Sequence, residues 1–112
     1  MEGNAYTFGR NERGQLGDKS YEASNRPIKI AIPECVVKAA VGRNHTVLLT
    51  ESGKLYAAGD NKCKQLGFRE EKDYMEFAPI SLMSEHKVVD VSCGVDFTIA
   101  LTGRNILESY RI

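Results

Sequence analysis

His45, Glu51 and Ser52 are the residue types of a hydrolase, a base, a carboxylate and a nucleophile, and they fall within eight positions of one another. The spacing does not support that chemistry. No G-x-S-x-G elbow surrounds Ser52, and the local pattern reads as a strand followed by a hairpin, so His45 and Ser52 stand at opposite ends of one strand. Gly9-Arg-Asn-Glu-Arg-Gly14 has the glycine spacing that opens a phosphate-binding loop, but Gln15 and Leu16 follow where a lysine and a hydroxyl residue are required. Without the lysine and the magnesium-binding hydroxyl the glycine pair is read as a loop closure. Cys35, Cys63 and Cys93 lie at no C-x-x-C or zinc spacing, and the two histidines, His45 and His86, are far apart. No metal set, no cofactor site and no catalytic residue is therefore assigned. Cys63 between Lys62 and Lys64 is expected to be the most exposed thiol, with neighbouring cations that favour its thiolate.

The elements that carry these residues repeat. Shifted by about fifty residues, Gly3, Tyr6, Gly9, Asn11, Gln15, Leu16 and Gly17 fall on Gly53, Tyr56, Gly59, Asn61, Gln65, Leu66 and Gly67, while Val36, Val37, Gly42, Thr46, Leu49 and Thr50 return as Val88, Val89, Gly94, Thr98, Leu101 and Thr102. A repeat of that period signals a solenoid, propeller or array. Within one period, Val36–Val41 reads as a strand buried on both faces. His45–Thr50 is its hairpin partner and Leu55–Ala58 an aromatic third strand. The run from Arg26 to Pro33 and that from Ala78 to Leu82 alternate and carry proline, which removes a ladder donor and belongs on a sheet edge. Ala5–Gly9 is the earlier copy of the third strand. The polar loops Arg10–Lys19 and Asp60–Met75 each hold one buried leucine, Leu16 and Leu66, as a pin. Ser84–Lys87 turns the chain, and from Gly103 onward the third strand is degraded, with Glu108 where Tyr56 stands. His45 and Thr46 are expected to satisfy backbone groups near one end of the sheet.

The fold class that follows is all-β: four-stranded antiparallel propeller blades, about two repeats, an incomplete propeller. Residues 1–33 supply the outer strands of a first blade, 34–84 a complete blade, and 85–112 the inner strands of a further blade with a degraded tail. A lone blade cannot bury both faces of its sheet, so further blades or subunits are expected beside these.

The phrases at 6–17 and 42–56 resemble the repeat of the regulator of chromosome condensation family, whose pattern runs roughly Cys-Gly-x-x-His-Thr-x-x-Leu-Thr-x-x-Gly-x-Val-Tyr-x-Trp-Gly-x-Asn-x-x-Gly-Gln-Leu-Gly. The resemblance covers nearly the whole chain. It implies a seven-bladed propeller when complete, in a family whose members serve as exchange factors for small GTPases, as chromatin-bound or ciliary scaffolds, and as ultraviolet photoreceptors. Val41, Phe97, Ala58 and Lys64 depart from the cysteine, histidine, tryptophan and glycine of that pattern. A lysine enters positive φ less cheaply than glycine, so Lys64 in place of Gly14 gives no ground for expecting the two loops to share one shape.

Function is expected in binding rather than catalysis. With strands running alternately up and down, the turns at Arg43-Asn44 and Val95-Asp96 emerge beside the two long loops, and the residues expected to meet a partner are Arg10, Arg13, Arg43, Asn44, Asp60, Lys62 and Asp96. The mixed signs suit a protein partner, a small GTPase among the candidates, over direct contact with nucleic acid. A structural array element with no GTPase partner is the alternative. Fifteen basic and fifteen acidic residues leave no net charge to draw the chain to nucleic acid or an anionic membrane. No apolar run is long enough to span a bilayer and the N-terminus has no secretory pattern, so an intracellular location, cytoplasmic, nuclear or ciliary, is expected.

Overall fold

The computed structural model describes residues 3–81 and 87–102, and the backbone of 107–109. The expected turn at Ser84–Lys87 lies, save for Lys87, outside them, as does most of the tail after Gly103. The strands are β1 (Ala5–Gly9), β2 (Ser24–Ile30), β3 (Val36–Val41), β4 (His45–Thr50), β5 (Leu55–Asp60), β6 (Asp73–Pro79), β7 (Val88–Cys93), β8 (Thr98–Thr102) and β9 (Leu107–Ser109). They form three antiparallel sheets in chain order: β1-β2, then β3-β4-β5-β6, then β7-β8-β9. The fold is all-β and blade-like, as the alternation and glycine stops indicate.

The repeat extends to the irregularities. Register slips between Val36 and Lys38 against β4 and again between Val88 and Asp90 against β8, the same bulge fifty-two residues on. A second bulge recurs between Thr7 and Gly9 and between Ala57 and Gly59. Bulges bend and twist a strand, so the copies share curvature as well as pairing.

β4 and β5 are buried at every position. One side of this middle sheet supplies Ala40, Val47, Leu49, Leu55 and Ala57 to a core completed by Leu66, Ile80, Val88, Val91 and Ala100. The third sheet is thereby clamped onto the second. On the other side, Leu48, Tyr56 and Ala58 are buried, as is Leu16 of the first loop, whose Gln15 carbonyl is held by Thr46.

Two expectations need correction. β3 is not buried on both faces: Val37, Lys38, Ala39 and Val41 are exposed, and Ala40 alone is fully covered. It is an end strand of its sheet, and the face it turns toward β1 meets no described strand that covers it. The outer strands also sit earlier than the proline pattern suggests. β6 begins at Asp73 rather than Ala78, which shortens the preceding loop, and β2 ends at Ile30 rather than running to Pro33. Charged residues serve on these strands because one edge and much of one face are solvated, and backbone pairing with β5 or β1 supplies the order. Pro27 falls where β2 slips register against β1, a position that asks for no ladder donor.

Candidate interaction face

Each long loop is built around a buried asparagine and a buried or half-buried glutamine. Asn11 Oδ1 accepts the Leu16 amide at 3.0 Å, and its Nδ2 donates to the carbonyls of Ser20 and Glu22. Asn61 repeats this with the Leu66 amide at 2.9 Å and the carbonyls of Phe68 and Glu70. Gln15 Oε1 accepts the Arg13 amide and Gln65 Oε1 that of Cys63, both at 2.9 Å. A side-chain amide fixed by backbone donors and acceptors does inside the loop what a ladder does in a sheet. The leucine pin is fixed at the same stroke, with Leu16 at 5% and Leu66 at 1% exposure.

The two loops share one shape, contrary to what Lys64 suggests. Gly14 has φ +80° and Lys64 φ +57°, and both place the same backbone turns on either side. Lysine is accepted in the left-handed region at a local cost, because the asparagine and glutamine bonds fix the loop around it.

Each loop is tied to the next sheet. Thr46 Oγ1 donates to the Gln15 carbonyl at 2.9 Å, and Thr98 Oγ1 to the Gln65 carbonyl at 2.6 Å. Thr46 thus satisfies a backbone group as expected. His45 Nε2 meets Thr98 Oγ1 at 3.3 Å, its Nδ1 has no hydrogen-bond partner among the described residues, and the Phe97 backbone also acts on the ring. Burial holds its pKa below the usual histidine value, against the opposing pull of the Phe97 backbone and the Asp60 and Asp96 carboxylates. The turns ahead of these strands match too. A Cβ on Gly42 would lie 2.0 Å from the His45 ring, and one on Gly94 2.2 Å from the Phe97 ring, so a glycine is needed for either ring to fold under its turn.

The seven residues singled out from sequence separate into two groups. Arg13 and Asp60 are bound to each other at 3.0 Å, and Arg13 also holds Asp73 at 2.9 Å, so this guanidinium joins the first loop to β5 and β6. Asp60 further accepts the Lys62 amide at 2.8 Å. Asn44 is half-buried and its carbonyl accepts the Asp60 amide at 2.9 Å, which fixes the β3-β4 turn beside the second loop. Arg10, Arg43, Lys62 and Asp96 are exposed. Arg10 is forked onto Glu12, while Arg43, Lys62 and Asp96 have no ion pair among the described residues. Asp73 does not stand out in the sequence, because the charged pattern around it reads as a loop. The asparagine and glutamine skeleton is visible there as the repeated spacing of Asn11 and Gln15 with Asn61 and Gln65.

The remaining chemistry is sparse. Cys63 is the exposed thiol and Cys35 and Cys93 are half-buried, all three free. Burial pushes the Cys93 thiol up to about 11, opposed by a weaker contact with Thr98. Among the described residues no three His, Cys, Asp or Glu side chains are grouped as a metal site would need, and no helix is long and apolar enough to cross a membrane.

This architecture and these loop phrases have counterparts. The chain is 36% identical over 112 residues to the Protein RCC2 homolog of Xenopus laevis, a match spanning 98% of this chain and 22% of that protein. It is 44% identical over 100 residues to the human X-linked retinitis pigmentosa GTPase regulator, spanning 87% of this chain and 10% of that protein. The chain therefore spans about a fifth or less of the length of these relatives. The structure of yeast RCC1 (Prp20) bound to Kap60 superposes with a TM-score of 0.82 over 95% of this chain and 27% of that one, at 20% identity, a likeness of fold. The model of the regulator of chromosome condensation (RCC1) repeat matches twice in tandem, at residues 2–49 and 52–101, and a second model of the same description matches 36–65. With its two repeats, their shared bulges and their loop-to-strand threonine bonds accounted for, the chain belongs to the regulator of chromosome condensation (RCC1) repeat family.

Proposed function

We propose that this chain is a non-catalytic interaction scaffold, a partial propeller that works inside the cell and binds another protein, a small GTPase or its regulator, through the loop face. Blade boundaries are drawn at residues 33/34 and 84/85. The observation that carries the reading is the division of the loop charges. Arg13, Asp60 and Asp73 are engaged in holding the loops together, whereas Arg43, Lys62 and Asp96 are left without an ion pair among the described residues, on loops whose backbones are fixed. Rigid loops present charge at little entropic cost, and unpaired charge of both signs orients a protein partner. Arg10 and Asn44 complete the proposed contact, and Arg13 and Asp60 act as positioning residues behind it. The name of the retinitis pigmentosa GTPase regulator supports a GTPase as the partner class. Direct contact with nucleic acid is not part of the proposal, because the exposed charges are mixed and the loops carry little aromatic surface for base stacking.

The test is capture of nucleotide-free small GTPases on the immobilised chain, with Arg43→Glu and Lys62→Glu as variants. Enrichment of a GTPase that falls about tenfold or more in the double variant supports the reading, since rim charges act chiefly on association rate. No GTPase enriched overturns the GTPase version. The second reading, an array element whose surfaces contact only other blades or subunits, is favoured by a separate observation, the open groove between the first two sheets.

A further inference from the structure

Arg13 joins the first loop to β5 and β6 through Asp60 and Asp73, and a tyrosine stands at that joint. The end of the loop runs antiparallel to β6: Asp18 bridges to Glu76, and the Lys19 amide donates to the Met75 carbonyl at 2.6 Å. Two residues farther in that direction, Tyr21 comes to the level of Asp73, the carboxylate that Arg13 Nε holds at 2.9 Å. Its hydroxyl is near enough to bear on the Arg13 charge. Tyr21 is 48% exposed and belongs to no strand. Asn11 Nδ2 donates to the carbonyls on either side of it, Ser20 at 2.8 Å and Glu22 at 3.0 Å, which fixes its place beside the joint. The other described tyrosines are less open to an enzyme. Tyr56 is buried, Tyr74 packs on Phe68 with ring centroids 4.5 Å apart, and Tyr6 is paired within the first sheet.

We propose that Tyr21 is a phosphorylation site and that its phosphate unlatches the first sheet from the second. The donor is ATP, held by a tyrosine kinase. A bond forms between the γ-phosphorus and Tyr21 Oη, the bond from that phosphorus to the β-γ bridging oxygen breaks, ADP leaves, and the hydroxyl proton passes to the kinase's catalytic carboxylate. Asp18 three positions before and Glu22 one position after give the site an acidic context, which suits a kinase with a basic substrate groove.

The product carries roughly −1.5 to −2 charge at pH 7, with acceptor oxygens that match a guanidinium fork. Arg13 then faces three anions where it had two. Turned to the phosphate, it leaves Asp60 and Asp73 without their cation; kept on the carboxylates, it leaves the phosphate beside two like charges. Either arrangement raises the energy of the closed seam. Asp60 also accepts the Lys62 amide at 2.8 Å, so the change reaches the second loop. The burial of Leu16 and the Thr46-Gln15 bond are untouched, so the seam loosens while the sheets stay folded. The device acts within the chain, whichever partner the loop face binds.

The test incubates the full chain with the catalytic domain of a tyrosine kinase of acidic preference, magnesium and ATP. Mass spectrometry is expected to find the phosphate on Tyr21, and Tyr21→Phe to lose most of the incorporation. In the phosphorylated chain the amides of β1 and β2 are expected to exchange about fivefold faster or more, with β4 and β5 less affected. Arg13→Met should show the faster exchange without phosphate, and phosphorylation should add little to it, since both act on one joint. If that variant fails to fold, the comparison of modified with unmodified chain stands by itself. Phosphotyrosine incorporated at position 21 during synthesis reads the unlatching without the kinase. No phosphate on Tyr21 overturns the site. Exchange in β1 and β2 that is unchanged or slower with the phosphate in place overturns the unlatching, and an equal acceleration in Arg13→Met overturns its route through Arg13.

Discussion

Lys64 shows what a fixed loop can impose on one residue. Its φ of +57° is set by the bonds of Asn61 and Gln65 around it, in a place where the first repeat uses Gly14. Lys64→Gly is expected to stabilise the chain by about 0.5 to 1 kcal/mol, since a side chain is strained in the left-handed region and glycine is not. The ion pair of Lys64 with Glu71 at 3.7 Å is solvent-screened, and its removal offsets little of this gain. Urea denaturation of the two proteins measures the difference. His45 presents the opposite case, a titratable ring at 0% exposure. Its folded pKa is lowered chiefly by burial, so below the unfolded value of about 6.5 the unfolded chain takes up a proton that the folded chain resists. Stability is expected to be fully present above that pH and to fall on acidification toward the lower folded value. In His45→Phe, which copies Phe97, the slope of unfolding free energy between neutral pH and about pH 5 should flatten. An equal slope in both proteins would assign the acid sensitivity elsewhere.

At the scale of elements the sheets are joined at two seams of different character. The seam between the second and third sheets is an apolar core with the His45-Thr98-Gln65 bonds at its end. That between the first and second depends on Leu16, the Thr46-Gln15 bond and the bridge from Arg13 to Asp60 and Asp73. The Arg13 side chain is 25% exposed and those of its partners are less so. Removing one member of such a network leaves the others without compensation. Arg13→Met is expected to cost about 1 to 3 kcal/mol, and Asp73→Asn added to it should restore part of that loss. Denaturation of the four proteins of that cycle measures the coupling. Little in the sequence exposes this bridge, because its members are 47 and 60 residues apart and fall in different copies of the repeat.

For the molecule as a whole the two seams predict an order of opening. β4 and β5 are buried on both faces, whereas β1 and β2 are covered mainly on one. Native-state hydrogen exchange should find the slowest amides in β4 and β5 and a separate, less stable unit in β1-β2, because local stability follows the contacts that hold each unit. Slowest exchange in β1-β2 would contradict that order. The uneven burial also accounts for the two surfaces left free. The loop face is ordered and charged, and the groove beside β3 is apolar.

The sequence by itself determined what is local and periodic. Glycine stops, alternation, leucine pins and the matched asparagines and glutamines recur at one spacing, and each acts within about ten residues, so the sheet count, the loop phase and the family were all legible. Tertiary structure alone decided burial and partnership, since these depend on what the chain brings alongside. The valine-rich strand β3 reads as a buried one but is largely exposed for want of a covering neighbour. Arg13 and Asp60 read as surface charges but hold each other. Hydrophobicity states which residues gain from being covered, and only the packing of the sheets settles which of them are.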